Sequence, residues 1–229
     1  MRPEPSLARR LAAEGVGAFF LFATVIGSGI MAENLSGGDD AVALLANTLA
    51  TGAILFVLIT ILGPISGAHM NPAVSLVAAL RRELAWSDAA AYMLAQLGFG
   101  ILGAWAAHLM FDLPTLQLSV KARTGLGQWT GEAIATLGLI LTILGTVRHR
   151  PHWVPASVAL YIAAAYWFTS STSFANPAIT IARSLSNSFA GIAPSDVPGF
   201  IAAQLLGAAA GAILGHWLFD ERGAAGEAD

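Results

Sequence analysis

Two side-chain amides, Asn71 and Asn176, each open an Asn-Pro-Ala tripeptide: Asn71-Pro72-Ala73 and Asn176-Pro177-Ala178. Asn is a favoured helix N-cap and Pro is favoured at the first helical position, so each copy marks a helix start inside apolar sequence. The first N–H groups of such a helix have no partner, and lipid cannot supply one. A start of this kind is tolerated where it lines a cavity or a water-filled path. The chemistry open to these residues is donation: an amide held by its own cap can offer N–H to a passing water or hydroxyl oxygen. Each Asn can equally be only a cap, and the two roles are compatible. Two such starts make a pore the first hypothesis.

The elements that must hold these amides are membrane spans. The chain has 229 residues, of which 56% are hydrophobic and 11% charged, against about 25% charged in soluble domains. Its mean hydropathy is +0.68. No cysteine is present, which removes disulfides and thiol chemistry. The net charge of −3 and scattered basic residues argue against nucleic acid as a partner. No phosphate loop, metal cluster or nucleophile constellation is visible, so no enzyme activity, metal or cofactor is expected. Arg9-Arg10 ahead of an apolar stretch has the form of a twin-arginine or secretory signal. That stretch contains Glu14 and reappears later in the chain, so it reads as retained.

Hydropathy predicts six crossings, about Leu11–Met31, Ala41–Leu62, Ala89–Phe111, Thr130–Val147, Trp153–Ser170 and Val197–Phe219. Two shorter apolar stretches, Asn71–Leu80 and Asn176–Leu185, suffice for half a crossing each. With six spans, Arg2, Arg9, Arg10, Arg81, Arg82, Arg148, Arg150 and Arg222 fall on one side, and Lys121 and Arg123 on the other. The acidic loop Glu33, Asp39, Asp40 joins the second side. The excess of positive charge then places both termini in the cytoplasm. Trp86, Trp129, Trp153 and Trp217 lie near span ends, as interfacial anchors do.

The chain is written twice. Glu14, Leu21, Thr24 and Gly27 match Glu132, Leu139, Thr142 and Gly145 without a gap. Asn71-Pro-Ala-Val-Ser-Leu matches Asn176-Pro-Ala-Ile-Thr-Ile, and Ala95-Gln96-Leu97 matches Ala203-Gln204-Leu205. Three spans per half is odd, so the halves run in opposite senses across the bilayer. Inverted repeats with interrupted helices point to a site at the membrane midplane. The expected organisation is one channel domain over 1–229, with repeats at about 7–111 and 129–219 and a polar tail at 220–229.

This pattern resembles the aquaporin (major intrinsic protein) family over Glu14 to Phe219. The residues that carry the resemblance are Glu14, Ser66-Gly67-Ala68-His69-Met70-Asn71-Pro72-Ala73-Val74, Gln96, Glu132, Asn176-Pro177-Ala178 and Gln204. The resemblance implies an all-α integral membrane fold of six transmembrane helices and two re-entrant half-helices. It also implies a homotetramer in the lipid bilayer, here the cell (inner) membrane, with one narrow pore per protomer. Each half-helix carries roughly half a positive charge at its N-terminus, and the two would face each other mid-pore. A cation or proton meets an unfavourable field there, whereas a neutral solute meets oriented donors.

Glu14 and Glu132 are carboxylates inside apolar spans, costly unless paired or hydrogen-bonded. A proton relay is one reading; by resemblance they accept hydrogen bonds from the re-entrant loops, with Gln96 and Gln204 as polar glue between spans. His69 reads as packing and backbone support rather than as a switch. Gly98, Gly103, Gly207 and Gly211 suit close helix crossings.

The chain departs from its family at the constriction. In most aquaporins an arginine directly follows the second Asn-Pro-Ala; here that position is Ile179. The family's spacing assigns the remaining constriction positions to Thr51, Ala164 and Ser173. That set has no charge, aromatic ring or imidazole, which predicts a gate that is wider than a water filter and neutral. The glycerol-facilitator signature Asn-Pro-Ala-Arg-Asp is absent as well, because Ile179-Thr180 replaces its last two residues. Arg183, one turn beyond Ile179, could curl back to the pore mouth or snorkel to the interface.

A wide uncharged gate admits small neutral solutes, polyols and weak-acid species as well as water. The chain resembles the bacterial branch of the family that lacks this arginine and is associated with arsenic-resistance genes. The resemblance implies arsenous acid and methylated arsenicals as solutes. The alternatives are an ordinary water or glycerol-type channel with no arsenic role, and a secondary active transporter, which would place ionisable coupling residues at its substrate site.

Overall fold

A computed structural model of the chain describes residues 5–219 and is all helical, with no strand among the described residues. The long helices are α1 (Leu7–Leu35), α2 (Asp40–Ser66), α4 (Trp86–Met110), α5 (Leu126–His149) and α8 (Val197–Phe219). All five are long and apolar enough to cross a membrane. The sixth crossing, expected over Trp153–Ser170, is the shorter α6 (Val154–Phe168), preceded by a 3₁₀ turn at Pro151–Trp153. Together these reach about 28 Å, close to the hydrocarbon thickness. The half-helices are α3 (Pro72–Leu80) and α7 (Pro177–Ser184). Arg2, Arg222 and the 220–229 tail lie outside the described residues.

Local chemistry sets the element ends. Asp39 caps α2 by accepting from the N–H groups of Ala41 and Val42 at 2.9 and 3.1 Å. At its other end α2 stops on Gly67, whose φ of +88° suits a glycine C-cap. The chain then descends into the fold instead of emerging from it.

The packing of one half maps onto that of the other under α1 to α5, α2 to α6, α3 to α7 and α4 to α8. α1 packs on α4 and α2 as α5 packs on α8 and α6. Each half-helix touches the last helix of both halves: α3 meets α4 and α8, and α7 meets α8 and α4. Glycines permit the tight crossings. A Cβ on Gly103 would stand 2.2 Å from the Phe19 carbonyl oxygen, and one on Gly211 would stand 2.7 Å from that of Leu137. Gly207 lies equally close to Ala133, whereas Gly98 has open space around it and takes no part in a crossing.

A candidate pore between two opposed half-helices

The two Asn-Pro-Ala segments meet head-on. Asn71 Oδ1 accepts from the Ala73 N–H at 2.9 Å, and Asn176 Oδ1 accepts from Ala178 and Ile179 at 3.0 and 3.3 Å. Each side chain therefore caps its own half-helix. The amide nitrogens cross over: Asn71 Nδ2 donates to the Ala175 carbonyl and Asn176 Nδ2 to the Met70 carbonyl, both at 2.8 Å. These two bonds tie each half-helix start to the loop of the other. An amide has two N–H donors, so one on each Asn remains for another acceptor. Both asparagines are buried and line a single cavity of about 250 Å³.

Matching cradles hold the two loops. Glu14 is fully buried in α1 and accepts from Ser66 Oγ at 2.6 Å, from the N–H groups of His69 and Met70 at 2.9 and 2.6 Å, and from Gln96 Nε2 at 2.8 Å. Glu132 is fully buried in α5 and accepts from the N–H groups of Phe174 and Ala175 at 2.8 and 2.9 Å and from Gln204 Nε2 at 2.6 Å. Both glutamines also reach a half-helix hydroxyl, Gln96 to Ser75 at 3.0 Å and Gln204 to Thr180 at 2.9 Å. The carboxylates thus satisfy the backbone donors that lipid would leave bare. The same bonds hold a contorted backbone: Ala68, Met70, Ser173 and Ala175 all have φ between +47° and +49°. Left-handed backbone costs roughly 1 kcal/mol for each non-glycine residue, so it persists only where contacts enforce it.

The helices present aliphatic stripes to the cavity. On α6 the stripe is Val154, Val158, Ile162 and Tyr166, one residue per turn. Ala164 does not belong to it and is exposed on the outer face. Two residues along a helix rotate a side chain by about 200°. The inward-facing residue, Tyr166, stands ten residues before Asn176, where the family's spacing points to Ala164, twelve before it. The cavity wall is therefore completed by Tyr166, whose hydroxyl lies 3.2 Å from Thr51 Oγ1. Thr51, Ser173 and Ile179 also line it, and Ser173 Oγ is buried without a hydrogen-bond partner.

The expectation of a wall free of rings and charge is corrected further by Phe174 and Arg183, both of which line the cavity. Arg183 does not snorkel to an interface; it is 2% exposed and stacks 3.3 Å from the Phe174 ring centroid. Its Nε donates to the Ala190 carbonyl. Phe174 also carries Arg123, 5.0 Å from its centroid on the loop between α4 and α5. Arg123 donates to the carbonyls of Gly191 and Ser171 at 2.8 and 3.3 Å. Lys121 on the same loop donates to the Phe189 carbonyl at 2.9 Å. Burial lowers the pKa of both loop cations, and Lys121 is lowered further by Arg123 and Arg183. This end of the cavity therefore has Arg183 in its wall and Arg123 and Lys121 behind it, cations partnered by backbone carbonyls rather than by carboxylates. At the opposite end, Glu83 lines the wall and receives a 2.9 Å bond from Arg81.

His69 also faces the cavity, its Nδ1 3.0 Å from Ser75 Oγ. Sequence reasoning missed Tyr166, Phe174, Arg123 and Lys121. The signal for Tyr166 was the four-residue stripe on α6. No sequence signal marks Phe174, whose role depends on arginines brought in from two other segments. No group of three or more metal-ligating side chains occurs among the described residues.

Geometry and ancestry agree. The family model described as Major intrinsic protein matches residues 2–170. The chain is 58% identical over 215 residues to Aquaglyceroporin AqpS of Rhizobium meliloti (strain 1021), covering 94% of this chain and 92% of that protein. It is 30% identical over 199 residues to Aquaporin NIP2-1 of Zea mays, covering 82% and 65%. The X-ray structure of the aquaglyceroporin from Plasmodium falciparum has a similar fold, with a TM-score of 0.66 at 21% identity over 95% of this chain and 97% of that one. The chain belongs to the major intrinsic protein family. It is an integral membrane channel protein and not an enzyme.

Proposed function

We propose that this protein is a passive channel for water and small uncharged solutes, conducting through the cavity that Asn71 and Asn176 share. The observation that carries the reading is the reciprocal pair of 2.8 Å bonds between the two Asn-Pro-Ala segments. They fix two helix N-termini face to face and leave one donor on each amide for a passing oxygen. The field of the two helix ends repels cations, and the carboxylates nearest the midplane, Glu14 and Glu132, are taken up by loop N–H groups and do not line the cavity.

The gate is built from Thr51, Tyr166, Ser173 and Ile179: three hydroxyls and one aliphatic side chain. That mixture suits solutes carrying several hydroxyls on a compact body. Glycerol-like polyols fit it, and so does arsenous acid, which is neutral near pH 7 and similar to a small polyol in size and hydroxyl pattern. The aliphatic Ile179 where most relatives carry arginine supports a gate broader than a water filter. The arsenic reading rests on resemblance to the arginine-less bacterial branch.

Around this pore the whole chain forms one domain of two inverted repeats, with α3 and α7 entering from opposite faces. Both termini lie in the cytoplasm, the bilayer is the cell's inner membrane, and four copies assemble. Glu14, Glu132, Gln96, Gln204 and His69 support the loops. Proteoliposomes tested with water, glycerol and arsenite decide the matter. Flux of all three above empty vesicles is expected; water flux alone would leave an ordinary water channel, and no flux would end the channel reading.

A further inference from the structure

The position after the second Asn-Pro-Ala is an isoleucine, yet the cavity wall beside it is not free of charge. Arg183 sits one turn further along α7, i+4 from Ile179, and both side chains line the cavity. Its guanidinium is set in place from two sides, by the Phe174 ring 3.3 Å below its Cζ and by the Ala190 carbonyl at its Nε. Ala190 is itself pinned against α1, where a Cβ on Gly29 would stand 3.2 Å from its methyl group. No carboxylate pairs with Arg183, and its terminal nitrogens make no hydrogen bond among the described residues. Ser173 Oγ, on the same wall, is likewise buried and unpartnered. Two donor groups thus remain to face the space a solute must cross, and one of them is a full positive charge.

We infer that Arg183 is the specificity-determining charge of the constriction, delivered from the next turn of α7 in place of a residue at position 179. The inference rests on the channel reading above and adds to the field of the helix ends a side-chain charge that excludes cations. A fixed charge in a low-dielectric wall repels a passing cation, and its N–H groups offer acceptor oxygens a binding point. Phe174 is the positioning residue: a flat ring is the surface on which a guanidinium stacks without a carboxylate. Ile179 leaves beneath it the room that a second long side chain would fill.

The test reconstitutes the full-length protein and three variants, Arg183→Gln, Ile179→Arg/Arg183→Gln and Phe174→Leu, in liposomes. Water flux and sodium and proton leak are read in parallel. Arg183→Gln should keep conducting water and leak cations at least about tenfold faster, the change that loss of about 1.4 kcal/mol of repulsion produces. The double variant returns the charge from the neighbouring position and should lower the leak again. Phe174→Leu keeps the arginine but frees it, and should leak to an intermediate degree. A water-conducting Arg183→Gln with the parent's cation leak would overturn the inference, as would a leak the double variant fails to repair. If Arg183→Gln does not fold, Phe174→Leu decides: a leak equal to the parent's refutes the inference, and a faster one supports it. A parent that conducts no water would instead refute the channel reading itself.

Discussion

The two half-helix cradles share a buried glutamate, a glutamine, a hydroxyl and a capping asparagine, and they differ two residues before that asparagine. The first has His69; the second has Phe174. His69 stays inside its polar network, bonded to Ser75, and offers the cavity a polar edge. Phe174 has no polar atom to return to its network, so its ring faces the arginines, with Arg183 on it at 3.3 Å and Arg123 at 5.0 Å. Two differences on the repeated frame, Phe174 where the first half has His69 and Arg183 where it has Ala78, place a stacked cation at one end of the cavity. Duplication supplies the frame; divergence at a few wall positions supplies selectivity.

The largest effect should come from removing what the cradles share. Glu14→Ala strands four buried donors and Glu132→Ala three. Each stranded donor costs about 1–3 kcal/mol. Folded yield and unfolding temperature in detergent should fall sharply for both, and further for Glu14. A well-folded Glu14→Ala protein with altered solute preference would show instead that this carboxylate acts on the solute.

Next in size are changes at the gate. Tyr166→Ala removes the ring and the hydroxyl facing Thr51, and should raise glycerol flux several-fold with a smaller rise for water. Ala164→Leu, on the outer face, should leave both unchanged in the same swelling assay. Ile179→Arg adds a second long cation beside Arg183 and should cut glycerol flux more than water flux. Equal losses of both would count against this gate.

The smallest effect concerns the cationic mouth. Lys121 has its pKa lowered by burial and by its arginine neighbours. It should lose its charge at lower pH than an exposed lysine, so sodium exclusion should weaken as pH rises through that region. Lys121→Gln should show the weaker exclusion at every pH, with no alkaline step.

Much of this was legible in residue order. Apolar runs of crossing length, Asn-Pro at helix starts and the recurring Glu, Asn-Pro-Ala, Gln order each depend on local chemistry and on periodicity. They predicted the elements to within a few residues and led to Asn71 and Asn176, while Thr51, Ser173 and Ile179, which also line the cavity, came only from the family resemblance. The cavity wall on α6 was not legible in the same way. Ala164 and Tyr166 are two residues apart, and the rotation of α6 about its axis decides which of them faces inward. Arg183 was ambiguous for a related reason: an arginine at a helix end snorkels or turns inward according to what receives it. Its receivers, Phe174 and the Ala190 carbonyl, come from the loops on either side of its helix. One-dimensional order determined the frame, because caps, spans and repeats are properties of neighbours along the chain. The tertiary structure decided the charge and width of the gate, because those depend on rotations about helix axes and on partners that meet only in the folded state.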